Sequence, residues 1–264
     1  MTSQGTARTA LAAGAAAAAS AAAAPKVDAA AVDKAFETLK TYDWGADRKA
    51  LDPIDRALIA THGDAAARKA LEKRLLAALA GGMSRSAQDY VCRRLRIVGT
   101  AECVKALAAL LPDEKTSHIA RYALERIGDD TAVQALRDAL PKVANKLKPG
   151  MIGGLGARRD AKSIAAIARH LGNSDMAIAR AAAHALALIG TAAAGKELSA
   201  FAGKAPACMK MHAADARLIC ADQLLADGEK AAAVSLYKQL KGDDQPKHVK
   251  VAATKGLLKA MSGK

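Results

Sequence analysis

The sequence predicts an all-α protein arranged as a right-handed solenoid of antiparallel helix pairs, and three observations point there. The first is composition: the 264 residues are 52% apolar yet only 3% aromatic. Ala, Leu and Lys, which lose little side-chain freedom in a helix, outweigh the β-branched and aromatic residues that favour strands. The second is a recurring phrase, in which an apolar helix ends in Ile, Val or Leu before a Gly, and a short polar residue then opens another apolar helix. It appears at Gly99, Gly128, Gly156 and Gly190, at spacings of 29, 28 and 34 residues. The third is helical periodicity. Ile119, Tyr122, Ala123 and Ile127 share one stripe, Ile178, Ala182, Leu186 and Ile189 another, and Val104, Leu107 and Leu111 form the matching stripe of a second helix. No single pair buries two such stripes, so neighbouring pairs must stack. Because Ala fills little space, the helices are expected to approach closely in thin layers, without a bulky central core.

Each segment has its own signals. Residues 1–27 contain an almost pure Ala run from Ala10 to Ala24 behind Arg8, with a small-x-small pair at Ala22 and Ala24. The run is compatible with an export signal and equally with an Ala-rich tail; its weak apolarity and Pro25 directly after the cut count against the signal. Exported and cytoplasmic locations both fit. Residues 28–83 read as an N-terminal helical cap: Asp28 begins a helix running to Lys40, Asp52-Pro53 opens another, and Asp64 caps a long one ending at Gly81-Gly82. Residues 84–204 hold the repeats, with helix pairs expected at 85–98 with 101–111, 117–127 with 131–140, 148–157 with 161–171, and 175–189 with 192–202. In each pair the Gly is expected to end the first helix in the left-handed conformation, and Thr or Asp (Thr100, Asp129, Asp160, Thr191) to cap the second. So short a turn makes the two helices antiparallel. Pro112 to Thr116 and Asn173-Ser174 supply stop-and-cap signals between pairs. Residues 205–264 close the chain, with a helix pair turning on Asp227-Gly228-Glu229. A last helix from Pro246 carries Lys247, His248, Lys250, Lys255 and Lys259 and no acid, forming a basic end.

The run Ser174 to Gly190, with Arg180 within it and Leu188-Ile189-Gly190 at its end, resembles the short bacterial HEAT repeat of the phycobilin-lyase type. Thr116 to Gly128 repeats it, with Arg121 where Arg180 stands. The resemblance covers about residues 84–202, and residues 216–240 are similar to a tetratricopeptide-type pair that lacks several signature positions. What it implies is a helical solenoid serving mainly as an interaction scaffold, since only a few such proteins are chromophore lyases or DNA glycosylases. A glycosylase would need aromatic residues and a carboxylate gathered in a groove, and the single Trp here, Trp44, falls in a terminal loop.

Charge widens the choice of partners. The 40 Lys and Arg against 26 Asp and Glu give a net charge of +14, enough to attract an anionic partner at long range. The basic residues are spread from Arg48 to Lys264 with acids interleaved, so most are expected on solvated helix faces. A nucleic-acid groove would need Lys142, Lys146, Lys148, Arg158, Arg159 and Lys162 on one surface. No run of 18 strongly apolar residues predicts a membrane span. Four Cys residues fall at 92, 103, 208 and 220, in positions that favour burial. A bond between Cys92 and Cys103 is compatible with their neighbouring helices, whereas Cys208 and Cys220 on one helix would lie about 18 Å apart.

Catalytic signatures are not found. The run Gly150-Met151-Ile152-Gly153-Gly154-Leu155-Gly156 has no preceding strand and no Gly-Lys-Ser/Thr ending, so its glycines are expected where helices touch. The six His residues are isolated, and His184, inside an Ala-rich helix, is expected to be packed. No metal ligand set, cofactor site or catalytic residue is expected. Two features stand out. Tyr42-Asp43-Trp44-Gly45, next to Asp47, Arg48 and Lys49, is either an aromatic anchor for a partner or, preferentially, a cover for the end of the stack. The set Tyr90, Arg93, Arg94, His118, Arg121 and Arg126 falls on the first helices of adjacent pairs, where it would line a strip for phosphate or carboxylate. The alternative is that these arginines pair with Asp89, Glu125 or Asp129. The expected role is non-catalytic binding of a protein partner, with nucleic acid or another polyanion as the alternative.

Overall fold

The computed structural model describes residues 27–242 and 245–262, which are all helical or turn with no strand among them. The Ala-rich opening stretch, and with it the question of an export signal, lies outside the described residues. The N-terminal segment folds as α1 (Ala29–Thr41), a 3-10 turn (Arg48–Leu51), α2 (Asp52–Ala60) and α3 (Ala65–Ala80). Its caps are those the sequence predicts. The Asp28 carboxylate accepts from the Ala30 and Ala31 amides, Asp64 accepts from Ala67, and Pro53 sits in the first turn of α2, each satisfying or sparing an orphan N–H.

The chain continues as α4 (Arg85–Val98), α5 (Ala101–Ala109), α6 (Ser117–Leu124), α7 (Asp130–Ala139), α8 (Lys148–Ala157), α9 (Ile164–Ala168), α10 (Met176–Ile189) and α11 (Ala192–Ala202). The chain ends in α12 (Ala207–Ala226), α13 (Lys230–Gln239) and α14 (Lys247–Ser262). Helices pack on their second neighbours in two rows. One row runs α4, α6, α8, α10, α12, α14; the other contains α3, α5 and α7 and then α9, α11 and α13. The buried apolar side chains form one connected seam from Val32 to Ala253, filled mostly by Leu, Ile and Ala. Ile119, Ala123, Ile127, Ile178, Ala182, Leu186, Ile189, Val104, Leu107 and Leu111 all lie in it, as their stripes require, with Tyr122 half-buried at the edge.

Helices α8 and α10 approach closely. A methyl group added at Gly156 would sit 2.7 Å from the Cα of Ala185, so the two backbones cross with only a hydrogen at the contact. Four glycines in α8 cost the isolated helix roughly 3–4 kcal/mol of propensity relative to Ala, and this packing against α10 holds it in shape. The glycine run is therefore where helices touch. Gly150 abuts Arg121 and Gly154 abuts Leu136 and Glu125, while Gly153 meets nothing within 4 Å.

Several local expectations are corrected. Of the four phrase glycines, only Gly190 takes the left-handed conformation, at φ 62°. Gly99 is extended, and its lack of a side chain serves a close approach to the Leu95 carbonyl and to Cys103 Sγ. Gly128 has no positive φ, and Gly156 lies inside α8, where the chain turns left-handed three residues later, at Arg159 with φ 51°. Thr100, Asp129 and Thr191 cap as expected, but Asp160 does not. Its carboxylate is buried and accepts instead from Arg137, at 3.1 Å, and from the Ser163 hydroxyl. The second helix of that pair is accordingly short, a 3-10 turn (Ala161–Ser163) leading into α9. Thr116 donates to the Leu110 carbonyl and does not cap α6. After Asn173-Ser174 the capping residue is Asp175.

His184 is exposed, on the outer side of α10. All four Cys residues are free thiols; Cys208 is exposed and the other three are buried. Burial pushes the Cys92 and Cys103 thiols up to about 12 and Cys220 to about 11. No helix among the described residues is long and apolar enough to cross a membrane.

Candidate functional site

Two features that read separately along the chain are joined in space. The loop from Tyr42 to Gly45 is tied to the start of α4: the Ser84 hydroxyl donates to the Tyr42 carbonyl, and Ser86 Oγ donates to Asp43 Oδ1 at 2.9 Å. Asp43 also accepts from the Trp44 amide at 2.8 Å. These hydrogen bonds hold the Asp43 carboxyl below the usual aspartate range. Trp44 is therefore carried on a loop anchored through the two residues before it, and its ring points into solvent, 89% exposed. The expectation that it covers the end of the stack is corrected.

Beneath it lies an open cleft of about 640 Å³ lined by Tyr42, Trp44, Arg48, Arg85, Ser86, Asp89, Tyr90, Arg93, Arg94 and His118. Tyr90, Arg93, Arg94 and His118 of the predicted strip are thus brought together, from α4 and α6. Tyr90 is the floor. Its hydroxyl donates to the Leu51 carbonyl at 3.0 Å and lies 3.1 Å from Asp55 Oδ1, and burial pushes its ionisation far above the usual phenol range. Arg94 lies flat over the Tyr90 ring, 3.4 Å from its centroid, and donates to both oxygens of Asp55 at 2.8 and 2.9 Å. A third bond runs from Arg94 to the Tyr90 carbonyl at 3.2 Å. This nearly buried guanidinium is a structural clamp between α2 and α4.

The remaining cations are more open. Arg48 touches Asp55 at 3.1 Å with its side chain 62% exposed, and Arg93 donates to Asp89 at 2.7 Å with 54% exposed. Arg85 reaches Asp89 at 3.9 Å and donates to the Lys115 carbonyl. Arg121 donates to Glu125 and, at 3.0 Å, to His118 Nδ1. Since a guanidinium only donates, neutral His118 carries its proton on Nε2. The pairing of arginines with Asp89 and Glu125 read from the sequence is present for Arg93 and Arg121, whereas Arg94 takes Asp55, a partner that nothing in local spacing indicates.

The other named arginines lie elsewhere. Arg126 is exposed just beyond α6 and does not line the cleft. Arg158 donates to the carbonyls of Ile127 and Asp129, and Arg159 to the Ile189 carbonyl at 3.3 Å and to Asp227. Arg68 does the same for Ile97 and Val98 at the end of α4, at 2.7 and 3.0 Å. Arg68 and Arg159 satisfy carbonyls at the negative end of a neighbouring helix and Arg158 those of the turn between α6 and α7, so all three tie together segments about 30 residues apart. Of the lysines a nucleic-acid groove would need, Lys146 pairs with Glu114 and Lys142 lines a separate groove between α5 and α7.

Among the described residues no group of three His, Cys, Asp or Glu side chains is placed to hold a metal ion. Compared with models of known families and with curated proteins, the chain matches none.

Proposed function

We propose that the chain is a right-handed α-solenoid of HEAT-like helix pairs that binds a protein partner and performs no bond chemistry. Support for the solenoid comes from the glycine-marked phrase together with second-neighbour packing in two rows, the pattern of stacked repeats. The binding reading is carried by one observation: the only Trp of the chain stands 89% exposed over an open cleft. Burying that ring against a partner removes apolar surface whose transfer is favourable by on the order of 4 kcal/mol before ordering costs. Interfaces commonly take most of their energy from such aromatic and Arg anchors.

The test is capture on the immobilised full chain from nuclease-treated lysate, with Trp44→Ala and Lys196→Ala, a change in the groove between α11 and α13, run beside it. A protein retained by wild type and Lys196→Ala but lost with Trp44→Ala supports the reading. Retention of nucleic acid in place of protein, or equal capture by all three chains, refutes it.

A further inference from the structure

The geometry points to an acidic peptide as the occupant of the Trp44 cleft: an extended segment presenting a carboxylate beside an apolar or aromatic side chain. This rests on the protein-binding reading above and gives that partner its chemistry.

Charge is the first ground. Arg48, Arg85, Arg93 and Arg94 line the cleft, and Asp89 is the one carboxylate lining it among the described residues. Asp55 lies behind, shared by Arg48 and Arg94, and Asp43 sits at the rim, occupied by Ser86 and the Trp44 amide. Arg94 has committed its fork to Asp55 and Tyr90. Arg48, Arg85 and Arg93 are tied through only part of theirs and are 40 to 62% exposed, so guanidinium edges remain turned to solvent around one opening. A planar fork of this kind matches a carboxylate bidentately. The Nε2–H of His118 adds a donor on the α6 side.

Shape is the second ground. Tyr42 and Trp44 both line the opening and make an aromatic corner next to the cations, with Tyr90, 6.4 Å from Tyr42 between centroids and covered by Arg94, as the floor beneath. An acid with an apolar neighbour fills both halves. A nucleic acid would also stack on such a corner, but it needs phosphate contacts repeated along its backbone. The row beyond the cleft does not supply them, because Arg121 is held by Glu125 and His118, and Arg158 and Arg159 are spent on carbonyls.

Because the chain has a single Trp, its emission reports this site directly. The full chain is titrated with a blocked peptide alternating Glu with Phe and Leu, with its Gln counterpart, and with an oligothymidylate, at low and high salt. Anisotropy of the labelled acidic peptide follows Arg48→Met/Arg93→Met and Trp44→Ala, with circular dichroism confirming the fold of each. The expected result is a saturable change in Trp44 emission, at least tenfold tighter binding of the Glu peptide than the Gln peptide, and weakening with salt. Each variant should weaken it about tenfold. Equal binding of the two peptides, tighter binding of the oligothymidylate, or binding indifferent to both variants would overturn the proposal. If capture from lysate depends on Trp44 while the Glu peptide fails, the acidic assignment alone falls; if capture fails too, the protein-binding reading falls with it.

Discussion

Gly156 and Gly153 lie three residues apart on α8 and should respond to alanine with opposite signs. At Gly156 the new methyl would stand 2.7 Å from Ala185 Cα and 2.8 Å from its Cβ, against an ordinary carbon contact of about 3.5–4.0 Å. Backbone and Cβ cannot swing aside as a flexible side chain can, so α8 and α10 must separate by about an ångström. Overpacking costs about 1–3 kcal/mol, and a contact this short with backbone and Cβ atoms belongs at the upper end, about 2–3 kcal/mol, while Gly→Ala in a helix returns about 1 kcal/mol. Gly156→Ala should therefore lose about 1–2 kcal/mol. At Gly153 nothing lies within 4 Å, only the propensity gain applies, and Gly153→Ala should be stabilising by about 0.5–1 kcal/mol. Urea unfolding followed by circular dichroism measures both. A Gly156→Ala protein as stable as wild type would show that α8 and α10 do not cross at that residue and are not tightly stacked there.

Three other outcomes follow from named contacts. Asp55→Ala removes the partner of the nearly buried Arg94 and one contact of Tyr90, and should destabilise by about 2–3 kcal/mol in the same assay, more than Arg94→Met, which leaves no buried charge behind. Titration with a thiol reagent should find one fast-reacting Cys, Cys208, in the native protein and all four after denaturation, because burial raises the ionisation of Cys92, Cys103 and Cys220; mass spectrometry of the labelled peptides identifies it. Asp43 ionises below the ordinary aspartate range when folded, so the anchoring it gives the Trp44 loop is complete above the unfolded value and is lost as pH falls through the lower folded one. Time-resolved anisotropy should accordingly show Trp44 rotating more freely in acid, with the step absent in Asp43→Asn.

Much of the architecture was legible because its signals are local. An aspartate before an apolar run readily caps the helix that follows, and Asp28, Asp64 and Asp129 do so with carboxylates only two or three residues from the amides they accept. A stripe of Ile and Leu at helical spacing must be covered by something, so the buried faces of α6, α10 and α5 follow from the chain alone. Where locality fails, so does the reading. Gly156 looks like a helix stop but is an interior contact, because its role depends on Ala185, and Asp160 looks like a cap but is claimed by Arg137.

The cleft shows the same division. That Tyr90, Arg93, Arg94 and His118 share one side of adjacent helices follows from spacing, since residues three or four apart on a helix face the same way. That Trp44 stands above them, that Asp55 locks Arg94 over Tyr90, and that Arg158 and Arg159 turn to carbonyls of other pairs depends on contacts spanning about 30 to 68 positions. Periodicity and capping determine each helix and its buried face from within a turn or two of chain. Which charged side chain meets which partner is decided only when folded helices compete for it, and no short stretch of sequence contains both competitors.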